Sequence, residues 1–432
     1  MRVVVVGGGL AGLFTASQLT AAGVEDVVVV EASPHPGGVT RTVRRDGFSL
    51  EQGAGSFSLP DPGLSPILDR AGVEAKPVAA GARYVFTDGA LLELEASPRL
   101  LLTPLLSIPA KLRAAAEILV PSRTNPDESL AGFCRRRFGR GAGDMISWLM
   151  ASGVFAGDPT RLSAMAAFPV LEELELEASS VIRGALRRRR RMRSRQPRRL
   201  HVPVGGMARL AEQVAATMGD RFRPEFAVET VHQDRGSWVV EGPEKIAADI
   251  VVLAVPPLAA AKMVDSELAG LLSRARSAPV TVVGLGGPGP SPFPSGFGAL
   301  IGPDENLATR GILFEASYAP DRAPDGSWFV KAIVGGATRP DVSTWSDQRL
   351  GEHTIREMGI ISGGDVAPSF VEPIWHQPGI PQYETGHLQW LTSLDALVGS
   401  RPGLSVTGWG YRGVGVASLA REATRLAREI VS

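Results

Sequence analysis

Two runs of valine near the start of the chain flank an apolar stretch of helical length. Val3 to Val6 form the first run, and Val27 to Val30 form the second. Short β-branched runs are typical of buried parallel strands, whereas the longer stretch from Leu10 to Ala22 favours a helix. The pattern predicts a strand–helix–strand unit, the smallest piece of an α/β fold with a parallel sheet.

The same reading divides the remainder of the chain into helical and strand-rich parts. Residues 97–182 are rich in leucine and alanine and are predicted to be mostly helical, with Asp127 as an N-cap. Strands are expected at 226–232, 237–240, 249–257, 280–285, 311–316 and 328–334, with a helix at 208–218. The segment 403–432 is expected to form a strand, a glycine-rich turn and a helix.

The first strand and the first helix are joined by the motif Gly7-x-Gly9-x-x-Gly12. Glycine allows a tight turn, close approach of backbone N–H groups to a pyrophosphate, and close packing of helix on strand. Glu31 follows the second strand at the distance where an acid binds a ribose. The unit predicts a dinucleotide site, although a glycine-rich helix entry in an ordinary α/β core has the same local pattern.

Two further glycine-rich loops favour a flavin over a nicotinamide. Pro36-Gly37-Gly38 comes soon after Glu31, where many nicotinamide enzymes continue into another crossover helix. Glu51-Gln52-Gly53-Ala54-Gly55-Ser56 forms the second loop, and its glycines let the backbone approach a bulky ring system. Two plain surface turns are the alternative.

Composition excludes several classes of protein. The 432 residues carry 45 basic and 45 acidic side chains, and this zero net charge argues against a nucleic-acid partner. Cys134 is the only cysteine and the six histidines lack ligand spacing, so we expect no disulfide and no metal.

The length predicts two or three domains. The chain starts on a strand with no room for a signal peptide, so a cytoplasmic location is expected.

Two segments raise the question of contact with a membrane surface. The apolar segment Leu100 to Ile108 is interrupted by Pro104, and it suits either a helix in the membrane interface or a helix pair in the core. The segment Arg187 to Arg199 holds nine arginines. We expect a solvated loop there, with anionic lipid head groups as a second interpretation and nucleic acid as a weak third.

Four separated motifs follow one another along the chain. They are Gly7 to Gly12 with Glu31, Gly37 and Gly38; Ser152 to Pro159 with Leu162-Ser163 and Phe168-Pro169; Pro381-Gln382-Tyr383 with Gly386-His387; and Tyr411 to Val416. The first is shared by many flavin amine oxidases. Together, in this order, they resemble the oxygen-dependent protoporphyrinogen oxidase family, over essentially the whole chain.

The resemblance implies an α/β plus α+β fold with a Rossmann-like FAD-binding domain built from discontinuous segments. These segments are 1–81, 202–258 and 396–432. A mixed-sheet substrate domain is expected at 82–96 and 259–395, and a helical, membrane-associating domain at 97–182. The arginine-rich loop covers 183–201.

The resemblance also implies non-covalent FAD. The residues that match the family's cofactor contacts are Gly7, Gly8, Gly9, Leu10, Ala11, Gly12, Glu31, Ala32, Gly38, Val39, Gly53, Ala54, Gly55, Ser56, Val228, Leu388, Val414, Gly415 and Val416. Val228 matches the adenine contact, and Val414 to Val416 match the helix start below the flavin ring, where N–H groups stabilise negative charge. Trp409 departs from the family, which usually has a smaller residue there.

A substrate site follows from the same resemblance. Arg83 matches the arginine that pairs with a porphyrinogen propionate, since a guanidinium binds a carboxylate in a bidentate fork. Phe297, Leu300 and Ile333 match the family's apolar clamp around the macrocycle. Tyr318 matches an aromatic residue at the pocket edge, and Gly153 matches a position that must stay small. Without the resemblance, the arginine would be a surface residue and the apolar side chains would be core.

The activity implied is an FAD oxidase of heme biosynthesis that converts protoporphyrinogen IX to protoporphyrin IX. In each of three two-electron steps a hydride leaves a carbon bridge for flavin N5 and a nitrogen proton is lost, and O2 becomes H2O2. No catalytic side chain is assigned, because the sequence shows no obvious general base. Coproporphyrinogen III oxidation, amine or carotenoid oxidation, and a porphyrin carrier are alternatives; Arg83 favours protoporphyrinogen. The expected partners are porphyrinogen, O2 and the inner face of the cytoplasmic membrane, with a homodimer left open.

Overall fold

The predicted strand–helix–strand unit is confirmed in the computed structural model, which describes residues 1–78, 81–94, 105–122, 127–192 and 198–432. Strand β1 covers Arg2–Val6, helix α1 covers Leu10–Ala21 and strand β2 covers Asp26–Val30. The two strands are parallel, with Val3 opposite Val27. The valines of both strands are buried because other elements cover both faces of the sheet.

Five strands from distant parts of the chain form this parallel sheet, in the order β10-β2-β1-β14-β20. The three added strands are β10 (Phe222–Arg223), β14 (Ile250–Leu253) and β20 (Leu404–Val406). The predicted strand at 249–257 is therefore confirmed as β14, which lies directly beside β1. The beginning, middle and end of the chain meet in one sheet.

Helices cover one face of the sheet, and a small antiparallel sheet with further helices covers the other. The first layer holds α1, α2 (Leu64–Ala71), α9 (Met207–Ala216) and α15 (Val416–Val431). The second layer holds β11 (Thr230–Asp234), β12 (Ser237–Glu241), β13 (Lys245–Ala248), α10 (Pro257–Ala260), α11 (Ser266–Leu272) and α14 (His387–Gly399). Alternate valines of β1 supply the two layers, as the twofold period of a strand requires.

A second, mixed sheet has the strand order β19-β15-β18-β17-β16-β7-β8, and only β16 and β7 are parallel. Its strands are β7 (Arg83–Thr87), β8 (Ala90–Leu94), β15 (Ser277–Pro288), β16 (Gly298–Ile301), β17 (Thr309–Leu313), β18 (Ser327–Gly335) and β19 (Phe370–Pro381). The strands predicted at 280–285 and 328–334 are confirmed. The one predicted at 311–316 ends at Leu313, because the helical turn α12 (Glu315–Tyr318) follows it.

Smaller elements fill the space around the two sheets. They are the hairpin β3 (Thr42–Arg45) and β4 (Phe48–Glu51); the three strands β5 (Phe57–Leu59), β6 (Ala75–Pro77) and β9 (Arg199–Pro203); the turn α12 (Glu315–Tyr318); and α13 (Asp347–Ser362). Buried side chains of α13, such as Leu350 and Met358, join the core of the mixed sheet.

The predicted helical region is confirmed in its described parts. It contains α3 (Ile108–Ala115), α4 (Leu130–Phe138), α5 (Arg140–Phe155), α6 (Ala164–Ala167), α7 (Pro169–Ala178) and α8 (Val181–Met192). The prediction of Asp127 as an N-cap is wrong. Ser129 caps α4 and accepts from the Gly132 N–H at 3.1 Å, while the Asp127 carboxylate accepts from the Gly386 N–H.

The expectation of a loop over 183–201 is wrong for its first part, because the arginine run continues α8 to Met192. The start of this helix is fixed by the buried Glu117, whose carboxylate accepts from the Val181 N–H at 2.8 Å. A carboxylate at a helix N-terminus satisfies open donors and the helix dipole. Arg188 also pairs with Glu173 on α7 at 3.2 Å. Residues 193–197 lie outside the described residues, and Arg199 begins β9.

The apolar segment 100–108 is only partly covered by the structure, since residues 100–104 lie outside the described residues. Its last residue, Ile108, begins α3 and is 72% exposed. Among the described residues, no helix combines the length and the apolar character that crossing a bilayer requires.

Candidate active site

The glycine motif makes a sharp turn between β1 and α1. A Cβ atom at Gly12 would lie 1.9 Å from the Gly7 carbonyl oxygen, and one at Gly7 would lie 2.7 Å from Val255 Cγ1. Gly9, in contrast, is not crowded: no described atom lies within 4 Å of the position that a Cβ atom would take there. The turn thus needs its outer glycines for close packing and leaves open space above the middle one.

Two helices begin next to this space without a side-chain cap. The N-cap of α1 is Gly9 and that of α15 is Gly415, and no described side chain caps either one. The two helices pack side by side, since the Gln18 amide of α1 donates to the Thr424 hydroxyl of α15 at 2.5 Å. Open N–H groups and two positive helix ends suit a ligand with anionic groups.

Glu31 lies beside the glycine turn and uses both of its carboxylate oxygens. One accepts from the Gly8 N–H at 2.6 Å and the other from the Ser33 N–H at 2.8 Å. Arg41 donates to the Ser33 hydroxyl at 2.5 Å, while its buried Nε has no partner among the described residues. An acid and an unused buried donor therefore face the same edge of the parallel sheet.

A segment from the middle of the chain runs along Glu31. The Phe226 N–H donates to the Glu31 carbonyl at 2.8 Å, and the Glu225 N–H donates to the Ser33 carbonyl at 3.2 Å. Val228 follows this contact and is half-buried, whereas Ala32 is exposed. The predicted strand at 226–232 begins only at Thr230, so the placement of Val228 within the hairpin is wrong. Leu388, in the first turn of α14, joins the same apolar cluster as Val228.

The two other glycine loops stack on the turn. A Cβ atom at Gly38 would lie 3.3 Å from Gly9 Cα, and one at Gly53 would lie 2.8 Å from the Val39 carbonyl oxygen. Val39 itself is 45% exposed, and Ala54 packs against the cluster at the start of α1. Gly9, Gly38, Val39 and Gly53 thus form successive layers at one edge of the site.

Four charged side chains form a buried cluster beneath the second loop, here called the buried quartet: Glu51, Glu315, Arg322 and Lys331. Arg322 pairs with Glu315 and lies 3.5 Å from Glu51, and Lys331 Nζ lies 3.6 Å from Glu315 Oε1. Burial raises the pKa of Glu51 and lowers that of Lys331. Burial alone would raise the pKa of Glu315, but Arg322 and Lys331 outweigh it and hold that pKa below its usual value.

The cations of the quartet also bind the loop backbone. Lys331 Nζ donates to the carbonyl oxygens of Glu51 at 3.2 Å and Gly53 at 3.1 Å. Arg322 Nη2 donates to the Gly55 carbonyl at 2.6 Å. Three carbonyls of residues 51–55 therefore point at two buried cations.

An exposed arginine and two aromatic rings line the next part of the site. The Arg83 guanidinium lies 5.6 Å from the centre of the Phe297 ring, and the Phe297 and Tyr318 rings are 4.9 Å apart. Arg322 donates to the Tyr318 hydroxyl at 2.9 Å, which links this wall to the buried quartet. Among the described residues no carboxylate forms an ion pair with Arg83, so its cation is available to a ligand.

The apolar part of this wall lies on one row of the mixed sheet. Leu300 pairs with Gly311 across β16 and β17, and Gly311 pairs with Ile333 on β18. A Cβ atom at Gly153 would lie 3.2 Å from Leu300 Cδ1, so α5 passes close above this row. The predicted positions Gly153, Leu300 and Ile333 are therefore neighbours, although they are far apart in sequence.

The last three sequence motifs and the adjoining Trp409 are joined by polar contacts. Gln382 donates to the Phe155 carbonyl at 2.8 Å, and Tyr383 donates to the Trp409 carbonyl at 2.5 Å. The indole Nε1 of Trp409 is buried without a partner among the described residues. Val414, in the same turn, packs against the helical region. These contacts fix the turn that leads into α15.

Two histidines of the region are held by backbone carbonyls. His376 Nε2 is 3.0 Å from the Gln52 oxygen, and His387 Nε2 is 3.0 Å from the Tyr411 oxygen. Burial lowers the pKa of both imidazoles, so both are neutral near pH 7. The His387 ring also stacks on Tyr383 at 4.2 Å. Both groups support the loops, and neither one is positioned as a free base.

Comparison with known families agrees with this arrangement. The family described as flavin containing amine oxidoreductase matches residues 10–431, from the start of α1 to the end of α15.

The chain belongs to this family.

Curated relatives of this flavin oxidoreductase include both kinds of porphyrinogen oxidase. It is 30% identical to a chloroplastic protoporphyrinogen oxidase of Oryza sativa, over 92% of this chain and 81% of the relative. It is 28% identical to a coproporphyrinogen III oxidase of Bacillus subtilis, over 96% of this chain and 94% of the relative. Among solved structures, a protein from Exiguobacterium has a TM-score of 0.83 at 21% identity over 100% of this chain and 98% of the other, which shows a shared fold.

FAD is the cofactor of the family, and the residues of this flavin oxidoreductase fit it. The open space above Gly9, the two uncapped helix starts and the orphaned Arg41 Nε and Trp409 Nε1 supply donors and room for a phosphate-containing ligand. When bound, FAD would supply a hydride acceptor for the oxidation of a substrate.

Sequence reasoning missed the side chains that support the site from behind. Glu51 had a visible signal, since it directly precedes the second glycine loop, but Arg322 and Lys331 had none. Their role depends on the pairing of β15, β17 and β18, which brings Lys331 under Gly53 from 278 residues away.

Proposed function

We propose that this flavin oxidoreductase oxidises a porphyrinogen to the porphyrin, with protoporphyrinogen IX as its substrate. The similarity to plant protoporphyrinogen oxidases over nearly the whole chain supports this proposal. The observation that carries it is Arg83, an exposed cation placed on the edge of the apolar wall of Phe297 and Leu300. A macrocycle with carboxylate side arms needs both features together.

The side chains of the wall bind and orient this substrate. Arg83 binds a propionate through a charge-assisted fork, while Phe297, Leu300 and Ile333 cover the ring system and exclude water. Gly153 leaves room above Leu300, and Tyr318 closes the edge. Since aromatisation of the ring drives the reaction, orientation and desolvation are the main tasks of these residues.

The cofactor side follows the same proposal. Residues 1–81, 202–258 and 396–432 bind FAD: Gly7 to Gly12 bind the pyrophosphate, Glu31 binds the ribose, Val228 contacts the adenine, and Gly53 to Ser56 with Val414 to Val416 contact the flavin ring. Residues 82–96 and 259–395 carry the substrate wall, and the helices of 97–182 cover it.

Anaerobic stopped-flow with the FAD-loaded protein and protoporphyrinogen IX tests the function. The oxidised-flavin absorbance should disappear on mixing and return with porphyrin fluorescence when O2 is admitted. A flavin that stays oxidised with every porphyrinogen would contradict the proposal and would favour an amine or carotenoid substrate. A porphyrin carrier would bind the substrate without loss of flavin absorbance.

Coproporphyrinogen III is a second candidate substrate. It is favoured by the Bacillus subtilis relative, which matches over 94% of its own length. This substrate has more carboxylates, whereas the wall presents Arg83 as its exposed cation. Parallel turnover assays with the two porphyrinogens distinguish them, and faster coproporphyrinogen turnover would overturn our choice.

Peripheral contact with the inner face of the cytoplasmic membrane is also part of the proposal. In the helical region Ile108, Leu112 and Leu119 are 72%, 68% and 75% exposed, and α8 presents the arginines 187–191. Exposed apolar side chains near a basic helix suit an anionic lipid surface. Flotation with vesicles of phosphatidylglycerol should carry the protein upward, and Leu112→Ser with Leu119→Ser should reduce this. Protein that stays in the soluble fraction would argue against contact.

A further inference from the structure

The buried quartet has a feature that a simple pair of salt bridges lacks. Its two cations also donate hydrogen bonds to backbone carbonyl oxygens. Lys331 donates to Glu51 at 3.2 Å and to Gly53 at 3.1 Å, and Arg322 donates to Gly55 at 2.6 Å. Arg322 and Lys331 are 5% and 1% exposed, so water does not compete for these donors. Hydrogen bonds from charged donors are stronger than neutral ones, and burial strengthens them further.

The loop itself cannot supply this order. Gly53 and Gly55 have no side chains to pack, and glycine loses the most conformational freedom when a loop is fixed. The glycines are also what lets the cations approach. A Cβ atom at Gly55 would lie 3.1 Å from Arg322 Nη1 and 3.5 Å from Lys331 Nζ. Loop and cations are therefore complementary in shape as well as in charge.

The quartet reaches the substrate wall at the Tyr318 hydroxyl, which contacts both Arg322 and Glu315. Arg322 binds the Tyr318 hydroxyl at 2.9 Å, and the Tyr318 ring packs on Phe297. Lys331 makes no such contact with Tyr318 among the interactions described. The two cations thus share the loop, but only Arg322 also holds the aromatic wall.

We propose that Arg322 and Lys331 are positioning residues for the flavin reaction: both fix the backbone of residues 51–55 against FAD, and Arg322 in addition fixes Tyr318 against the substrate. The proposal rests on the assignment of this loop to the flavin made above. Glu315 lies between the two cations and forms an ion pair with each of them. Glu51 also accepts from the Met207 N–H at 3.0 Å, which ties the quartet to the start of α9.

The test compares Lys331→Met and Arg322→Met with Arg137→Met. Arg137 is fully buried and paired with Glu117, but it lies in the helical region away from the loop. Hydrogen exchange of apo-protein peptides covering 50–58 should be faster in both quartet variants and unchanged in Arg137→Met. The FAD dissociation constant, measured by flavin fluorescence quenching, should rise about tenfold in both quartet variants, which corresponds to about 1.4 kcal/mol. All three variants should lose thermal stability.

Steady-state kinetics at saturating FAD separate the two cations. Arg322→Met should raise KM for the porphyrinogen as well, whereas Lys331→Met should leave KM unchanged, because Arg322 is the cation of the pair that hydrogen-bonds to Tyr318. Unchanged exchange at 50–58 in the quartet variants would overturn the positioning role. Faster exchange with unchanged FAD affinity would overturn the contact between loop and flavin, and neither result depends on which porphyrinogen is turned over.

Discussion

The glycine motif offers a test at the scale of one methyl group. Gly12→Ala places a Cβ atom 1.9 Å from the Gly7 oxygen, so the start of α1 must move away from β1. We expect the FAD dissociation constant to rise by at least about tenfold, because the open N–H groups move with the helix. Fluorescence titration of the apo-protein with FAD measures the effect.

Gly270→Ala is the matched control. Gly270 lies within α11 with no described atom within 4 Å of its Cβ position, and alanine favours a helix over glycine by about 1 kcal/mol. This variant should bind FAD like the parent protein and unfold at a slightly higher temperature. Normal FAD affinity in Gly12→Ala would show that α1 does not face the phosphates.

The exposed guanidinium of Arg83 predicts a kinetic effect without a structural one. Arg83→Gln removes the charge but keeps most of the side-chain length. A lost charge-assisted hydrogen bond costs about 1.5–3 kcal/mol, so KM for protoporphyrinogen IX should rise at least about tenfold with little change in kcat. Arg428→Gln, on the exposed side of α15, should leave both parameters unchanged. A fall in kcat at constant KM would contradict a binding role for Arg83.

His387 should make part of the stability depend on pH. Burial lowers its pKa in the folded protein, so the unfolded chain binds a proton first as the pH falls. The contribution of the neutral imidazole to the free energy of unfolding is complete above the ordinary histidine pKa of about 6.5, and it is lost as the pH falls below that value. The melting temperature should therefore fall more steeply below this pH in the parent protein than in His387→Gln. Parallel pH profiles of the two proteins would show that the imidazole does not titrate on unfolding.

At the scale of elements, the arginine helix depends on an anchor in the interior. Glu117 accepts from the start of α8, and Arg137 donates to Glu117 at 2.7 Å and to Glu175 at 3.1 Å. Arg137→Met leaves the buried Glu117 without its cation, whereas Glu175 keeps Arg136 at 2.8 Å. Breaking a buried pair in this way costs about 3–5 kcal/mol, so urea should unfold this variant at a clearly lower concentration.

Cys134 reports the opening of the same region. It lies on α4, three residues before Arg137, and burial raises the pKa of its thiol to about 12. The thiol is therefore protonated and shielded in the folded protein, and a maleimide reagent should label it only when the helices separate. Labelling should be faster in Arg137→Met than in the parent. Rapid labelling of the native parent would mean that the helical region opens by itself.

Elements were predictable where local pattern and tertiary packing agree. The valine runs and the helices of 127–182 follow from the local hydrophobic pattern, because each of them buries a face that its own sequence defines, and the glycine turn follows from its motif. The prediction of a loop at Arg187–Arg191 is wrong, since the start of its helix is stabilised by Glu117, which lies 64 residues before Val181. The support of Gly53 by Lys331 could not be predicted for the same reason. It depends on strand pairing in the mixed sheet, and this pairing leaves no signal in the sequence near either residue.

At the scale of the molecule, FAD should stabilise segments that are remote in sequence. Binding to the native state raises stability in proportion to the logarithm of ligand concentration over its dissociation constant. Removal of FAD should lower the melting temperature and speed hydrogen exchange at the starts of α1 and α15 together, while α13 stays unchanged. Faster exchange at only one of the two helix starts would mean that they do not share the ligand.

The parallel sheet places β1 between β2 and β14, and β14 pairs with β20. The ribosome delivers these strands in order, and β20 with α15 comes more than 370 residues after β1. Until then, the edge of β14 is unpaired and one of the two open helix starts does not exist. A nascent chain should therefore acquire FAD only once α15 has left the exit tunnel, and a ribosome stalled before that point should carry a flavin-free chain.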